Sequence, residues 1–397
     1  MPPASSSRNH GRRLKGSPSA PRRLLFLVTE DWYFWSHRVG LARAARDAGW
    51  EVHVATRVGE HGDRIRAEGF TLHPLNWRRS GKNPLRELAA IADIYRLYRD
   101  VAPHMVHQVA MKPVLYGSIA GRLAGVPAIV NAMAGMGSIF SARRLSTRLL
   151  RPFIVAAFRF LLDRPNQWLV VQNEDDAALF RDRRLVPVSH IRLIPGSGVC
   201  AETFQPTPPP PEPPVVATVV ARLLWDKGIG ETVEAARLLR AEKVPVRVRL
   251  VGAPDPENPN SIPPEVIAAW KAEGIVEVMG PRRDIPKVWA ESHIAVLASY
   301  REGLPRSLLE AAACGRPLVT TDAPGCRELV SDEGIGLRVP AGNAPALADA
   351  IRLLVHDPDR RRKMGDEARR RIETVYGDGP IFAAFLRLYE EVAPGSA

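Results

Sequence analysis

Cysteine is nearly absent: the 397-residue chain has three, Cys200, Cys314 and Cys326. Their spacing fits neither a disulfide framework nor a metal cluster, and so few thiols favour a reducing compartment, the cytoplasm. Long apolar runs are missing too. The run from Leu24 to Val28 stops at Thr29-Glu30-Asp31, too short for the apolar part of a secretory signal. The longest other candidate, Phe153 to Leu162, is broken by Arg159 and falls well short of the roughly 20 residues that a membrane-crossing helix needs. No glycine fingerprint for a dinucleotide follows the first strand. Zinc-finger spacing is lacking, and aromatic residues do not alternate with basic ones, so no nucleic acid is expected as a partner. Acidic residues are outnumbered: 43 Asp and Glu stand against 55 Lys and Arg, a net charge of +12. With nucleic acid set aside, that excess points to an anionic small substrate or an anionic membrane surface.

What is present is enough apolar sequence for two cores, the usual outcome at this length. Residues 1–21 are Ser, Pro, Arg and Gly, a disordered basic tail. Residues 22–204 alternate strand and helix. Leu24 to Val28 and Glu51 to Ala55 are strands around a helix from Val39 to Ala48, a βαβ unit. Between them, Asp31 to His37 reads as an aromatic loop carrying Trp32, Tyr33, Phe34 and Trp35. Core packing is expected to take about two of these four, and the loop with His37 and Arg38 is placed to line a crevice. Further on come a strand at Met105 to His107 and a glycine-bearing loop from Asn131 to Ser138. Arg143 to Leu162 is a basic amphipathic helix, which fits a dock for anionic lipid and an ordinary two-faced core helix equally. Residues 205–214 form a proline-rich linker, extended and semi-rigid. A second strand-helix series fills 215–379, and 380–397 hold a last helix and tail, open to packing back on the first domain. The fold class is α/β, with two doubly wound Rossmann-like domains facing across a cleft.

One stretch concentrates the chemistry. The apolar strand Ile294 to Ala298 leads into Arg301-Glu302-Gly303-Leu304-Pro305-Arg306-Ser307, then a helix to Cys314, closed by Gly315 and Pro317. A helix start at a strand C-end offers free N–H groups and positive potential to a phosphate. Glu302 on the loop and Glu310 two turns into the helix bracket that point, where carboxylates can hold sugar and ribose hydroxyls. Helical rise over the eight steps sets them about 12 Å apart, too far for the acid and nucleophile of a hydrolase. A second stretch, Ala221-Arg222-Leu223-Leu224-Trp225-Asp226-Lys227-Gly228, leaves the first strand of the second domain. There Arg222 and Lys227 are placed to meet one diphosphate.

From Val215 onward the chain resembles the retaining glycosyltransferases of the GT-B fold, glycosyltransferase family 4, which includes bacterial surface-polysaccharide and lipid-linked oligosaccharide enzymes. Arg222, Lys227, Gly280 to Asp284 and the Glu302-to-Glu310 spacing carry the resemblance. Pro195 to Val199 matches the family's domain junction. In the first domain, Phe34 to Arg38, Val106-His107 and Asn131 to Gly137 resemble the subgroup that extends undecaprenyl-diphosphate-linked sugars. The resemblance implies a nucleotide-sugar donor, UDP-linked, and a sugar acceptor carried on a polyprenyl diphosphate. Glu302 would bind the donor sugar near the reacting carbon. Backbone N–H groups of Gly303, Leu304, Pro305's neighbours Arg306 and Ser307 would meet sugar and phosphate, and Glu310 the ribose. Arg222 and Lys227 would neutralise the leaving diphosphate, while Gly280, Arg282 and Arg283 would face the base. It also implies retention of configuration, no cofactor and no metal, and a cytoplasmic protein peripheral on the inner face of the membrane.

Two departures stand out. Val109 replaces a second histidine common two residues after the position of His107, leaving His107 or His37 for the acceptor side. Cys200 replaces a usual acidic residue after the junction. Asp357-Pro358-Asp359 is read as a helix cap. Two other functions remain open on the same fold: a nucleotide-sugar epimerase or hydrolase, and a binding protein without turnover.

Overall fold

Short runs of Val, Ile and Leu that are apolar on both faces make buried parallel strands, and the amphipathic runs between them make crossover helices. The computed structural model describes residues 21–77, 83–133 and 145–393. The tail up to residue 20, the glycine loop past Met133, and Arg143 with Arg144 lie outside the described residues.

The first domain runs β1 (Arg22–Glu30), α1 (Asp31–His37), α2 (Val39–Asp47), β2 (Trp50–Arg57), α3 (Gly62–Ala67), β3 (Thr71–Pro74), α4 (Pro84–Val101), β4 (Met105–Val109), α5 (Met111–Ala124), β5 (Ala128–Met133), α6 (Leu145–Leu162), β6 (Gln167–Val171), α7 (Glu174–Asp182) and β7 (Ile191–Leu193). The second runs β8 (Val215–Val220), α8 (Ile229–Ala241), β9 (Val246–Val251), α9 (Pro264–Glu273), β10 (Glu277–Gly280), α10 (Ile285–Ala290), β11 (Ile294–Leu297), α11 (Arg306–Ala313), β12 (Leu318–Thr321), α12 (Cys326–Leu329), β13 (Gly336–Val339), α13 (Ala344–His356) and α14 (Pro358–Arg371), before α15 (Asp378–Val392).

The strands form two parallel sheets, in the orders β3-β2-β1-β4-β5-β6-β7 and β10-β9-β8-β11-β12-β13. In each, the strand order reverses beside the first strand, at β1/β4 and at β8/β11. Helices leave in opposite directions there, so a crevice opens past the strand C-ends. The last residues of those four strands, Glu30, Val109, Val220 and Leu297, all line one cavity between the domains.

Helix α15 does not stay with the second domain. Ile381, Phe385, Leu388 and Tyr389 are buried in the core of the first, against Phe34, Leu41 and Trp50. Each such side chain contributes about 1.5–3 kcal/mol on burial. Ion pairs from Arg22 to Glu390 (2.6 Å) and from Arg192 to Glu391 fasten its end. The outgoing and returning crossings lie side by side: Asp378 N donates to Val199 O at 3.1 Å.

Several expectations are revised. Asp31 to His37 is the helix α1, because Phe34 is buried under it and fixes its face. Of its four aromatics Phe34 alone is fully buried, Tyr33 and Trp35 are half-buried and Trp32 is exposed. Strand β5 extends through Asn131 to Met133, where a loop was expected. The linker is a strap rather than a spacer. Arg316 Nη2 donates to Thr207 Oγ1 (2.7 Å), a His293 Nε2 contact meets Pro210 O (3.0 Å), and Arg361 pairs with Glu212. Asp357 caps α14 as expected, accepting from Arg360 N at 2.8 Å.

Candidate active site

The cavity holds about 900 Å³ and draws its walls from both domains. On the second domain's side, β11 ends at Leu297 and the chain turns through Glu302 and Gly303 into α11. Pro305 is the N-cap of that helix, and the first-turn amides of Arg306 and Ser307 have no intrahelical acceptor. Both residues line the cavity, together with Glu302, Gly303, Leu304, Pro305 and Glu310.

Lys227 reaches the same place from β8. It ends a single turn, Trp225–Lys227, and is followed by Gly228 at φ +68°. A Cβ on Gly228 would lie 2.0 Å from Ala298 O, so glycine is what lets this turn press against the end of β11. The Lys227 ammonium then meets Glu302 Oε1 at 2.5 Å, with both side chains largely shielded from water. Arg222 also lines the cavity, but at its rim: its guanidinium is half exposed and donates to Asp255 Oδ2 at 2.6 Å. Both cations therefore line the same space as Glu302 and Glu310.

Glu310 lies deeper. Burial raises its pKa, and the charge and hydrogen bond of Arg306 (Nε to Oε1, 2.8 Å) oppose that rise. Arg306 also approaches Ser197 Oγ at 3.4 Å, in the crossing between domains. Arg306 thus engages the carboxylate expected to hold a ribose.

The first domain supplies His37, Tyr33, Trp32 and Lys112. His37 closes α1, stacks on Tyr33 (centroids 4.2 Å apart, planes within 3°) and shares a 2.7 Å hydrogen bond with Ser36 Oγ. Burial, then the charges of Arg306 and Arg38, lower its pKa well below 6.5, so the imidazole is neutral at pH 7. Lys112 sits in the first turn of α5 and pairs with Glu87 at 2.7 Å.

His107 is not in the cleft, which corrects its assignment to the acceptor side. It lies in the middle of β4, fully buried, stacked on Phe26 at 5.1 Å and hydrogen-bonded through Nδ1 to the Tyr389 hydroxyl of α15. Burial and the Arg38 charge keep it neutral. It is a packing residue between the sheet and the returning helix. Arg282 and Arg283 are likewise outside the cavity lining. Arg282 folds back on Asp284 (2.7 Å), and Arg283 reaches Glu60 of the first domain (3.0 Å) with both side chains almost fully exposed. Gly280 ends β10, and its carbonyl accepts from Gly252 N at 2.9 Å. Among the described residues no group of three His, Cys, Asp or Glu side chains is gathered as a metal site.

Sequence reasoning missed Asn173, Asp176 and Arg301. The amide of Asn173, the cap of α7, donates to Gly303 O at 2.8 Å, and Asp176 pairs with Arg301. The pattern Asn-Glu-Asp-Asp was a legible helix start, but nothing local told that it faces a loop 130 residues away.

Two family models match. Residues 23–170 fit the "Glycosyl transferase 4-like" domain and residues 201–371 the "Glycosyl transferases group 1" domain. A Campylobacter jejuni protein, N,N'-diacetylbacillosaminyl-diphospho-undecaprenol alpha-1,3-N-acetylgalactosaminyltransferase, is 28% identical over 93% of this chain and 99% of its own. An Escherichia coli UDP-Gal:alpha-D-GlcNAc-diphosphoundecaprenol alpha-1,3-galactosyltransferase is 25% identical over 67% of this chain and 70% of its own. Among solved structures, Anabaena HepE in complex with UDP and glucose superposes with a TM-score of 0.71 at 18% identity, covering 92% of this chain and 98% of that one. Sucrose-phosphate synthase from Thermosynechococcus elongatus gives 0.75 at 19% identity, covering 94% and 99%. The fold, the two matched domains and the relatives agree: the chain belongs to the GT-B glycosyltransferases, a 4-like domain followed by a group 1 domain.

Proposed function

We propose that this protein moves a sugar from a UDP-linked donor to a sugar carried on a polyprenyl diphosphate, in the assembly of a cell-surface glycan. One observation carries the reading: Lys227, Glu302 and the start of α11 converge on one inter-domain cavity. As the sugar leaves, negative charge builds on the nucleoside diphosphate. Lys227, Arg222 and the amides of Arg306 and Ser307 are already set to meet it, and such fixed groups act most strongly on the transition state. Glu302 addresses the sugar hydroxyls and Glu310 the ribose, with Arg306 shifting toward phosphate when the diol arrives. Transfer proceeds with retention and without a metal, the cations supplying the charge. His37, kept neutral, faces the acceptor as a hydrogen-bond partner. The relatives named above, whose acceptors are diphosphoundecaprenol-linked, support the acceptor class.

An acceptor carried on a lipid calls for contact with a membrane surface. Among the described residues no helix is long and apolar enough to cross one. The first domain instead exposes Leu85 and Leu88 of α4, Leu123 of α5 and Phe153 and Phe160 of α6, with the Arg122 guanidinium 4.5 Å over the Phe160 ring. This face, with the basic tail, is the proposed contact with anionic lipid on the cytoplasmic side.

The test is a panel of UDP-sugars with a synthetic polyprenyl-diphosphate-linked sugar, read by mass and by NMR of the new anomeric centre, with and without a chelator. Acceptor-dependent product with the donor's anomeric configuration, unaffected by the chelator, is expected. Product formed without acceptor would instead mean an epimerase or hydrolase, and donor binding without any product a binding protein.

A further inference from the structure

The loop that carries Glu302 is gripped from two sides, and one grip comes from the other domain. On its own side, Glu302 N donates to Pro324 O at 2.9 Å. Gly325, at φ +81°, lies so close that a Cβ would stand 2.5 Å from Glu302 O and 2.6 Å from Gly303 O. The other approach to these carbonyls is taken by Asn173 of the first domain. Its Oδ1 accepts from Asp176 N at 2.7 Å, capping α7, while its Nδ2 donates to Gly303 O at 2.8 Å and to Glu302 O at 3.3 Å. Three residues on, the Asp176 carboxylate pairs with the guanidinium of Arg301, next to Glu302. Arg327 of α12 reaches Asp175 at 3.4 Å.

Asn173 and Asp176 are fully buried, yet neither lines the cleft. The cap bond itself needs only an oxygen, since serine caps a helix about as well; the amide adds a bond to Asp176 Oδ2 within α7 (3.1 Å) besides those to the loop. The amide is what spans to the loop. A buried carboxylate paired with a guanidinium from the opposite domain is geometrically demanding, and this one is spent on the residue preceding Glu302.

We propose that Asn173 and Asp176 are positioning residues: they make the aim of the Glu302 carboxylate depend on the first domain being docked against the second. The proposal rests on the transfer reading above. Seated on α7, the loop presents Glu302 to Lys227 and the donor sugar. Released from α7, it keeps the Pro324 and Gly325 contacts but loses its reference to the acceptor-side wall. The diphosphate contacts, from Lys227, Arg222 and α11, do not pass through Asn173. Transfer and diphosphate binding should therefore separate.

The experiment uses the full chain and the variant Asn173→Ser, which keeps a cap oxygen but is too short to reach Gly303. Expected is a fall in kcat of roughly tenfold or more, since an ångström-scale misplacement of a reacting group suffices for that. The Kd for UDP alone should stay within about twofold, and α7 should remain folded by thermal unfolding. Should Asn173→Ser not accumulate as folded protein, the Asp176→Asn/Arg301→Gln double variant, which removes both charges together, carries the same expectation. Unchanged kcat, or a loss of UDP affinity equal to the loss of kcat, overturns the proposal. Wild-type protein that neither binds UDP nor transfers sugar overturns the transfer reading itself, whereas an active wild type with an equally active Asn173→Ser overturns this inference alone.

Discussion

Removing Lys227 and Glu302 singly and together separates what their pairing does for folding from what it does for chemistry. At 2.5 Å the pair's gross attraction is about 7 kcal/mol with an effective dielectric near 20. Desolvation consumes most of that, and a charge-assisted hydrogen bond nets about 1.5–3 kcal/mol. Lys227→Ala and Glu302→Ala should each lower stability by about 2 kcal/mol, because each strands its shielded partner. The double variant strands neither, and should lose about 1 kcal/mol rather than the sum near 4. Turnover should behave oppositely. Each single change removes a group aimed at the transition state, and losing one such group reduces kcat by about 10²–10³. The double variant should be no faster than its slower parent. Urea unfolding followed by tryptophan fluorescence reads the first quantity, and acceptor-dependent transfer under donor saturation reads the second. Additive stability losses would refute the pairing, and a single variant turning over at the wild-type rate would refute the electrostatic account.

Four further outcomes are expected. His107→Ala should lower stability by about 2–4 kcal/mol, through the cavity and the stranded Tyr389 hydroxyl, while leaving the acceptor KM unchanged in steady-state kinetics. His37 resists protonation when folded, so its stability contribution is present above the ordinary histidine value of 6.5 and is lost as pH falls below it. Unfolding measured across that range should show a shallower slope for His37→Gln, and the wild-type pH–rate profile should show no histidine step near 6.5. Burial pushes the Asp378 carboxyl up to about 6 from 3.8, so stability falls as pH rises through that window. Asp378→Asn should flatten the corresponding Tm profile. Gly325→Ala forces a carbon against Glu302 O at a positive φ, and should cut turnover by tenfold or more with UDP affinity retained in calorimetry.

Much of the scaffold was legible because its strands are short, pure runs. The β-branched runs that become β8 and β9 are bounded by Pro214, Pro245 and Gly252, which leaves them little other choice. Helix α1 was not legible: Trp, Tyr and Phe are indifferent helix formers, and what makes the segment helical is the pocket under Phe34. The convergence of Lys227, Glu302 and Glu310 was readable because all three follow strand ends of one sheet, where topology dictates the side of the crevice. His107 was misplaced because a histidine within a strand points to a ligand or to a core depending on what packs over it. Here that is α15, nearly 300 residues away. Arg282 and Arg283 lie outside the cavity lining, beside carboxylates at Asp284 and Glu60 that a local reading of the sequence does not weigh.

The return of α15 has a consequence for how the molecule comes into being. The first half of the chain emerges without Phe385 and Tyr389, which complete its core in the finished fold. Synthesis from the amino end therefore leaves the leading lobe unfinished until α15 has been made. A fragment cut at the linker would lack the same two side chains, so the two lobes ought to be expressed separately only with α15 grafted back onto the first.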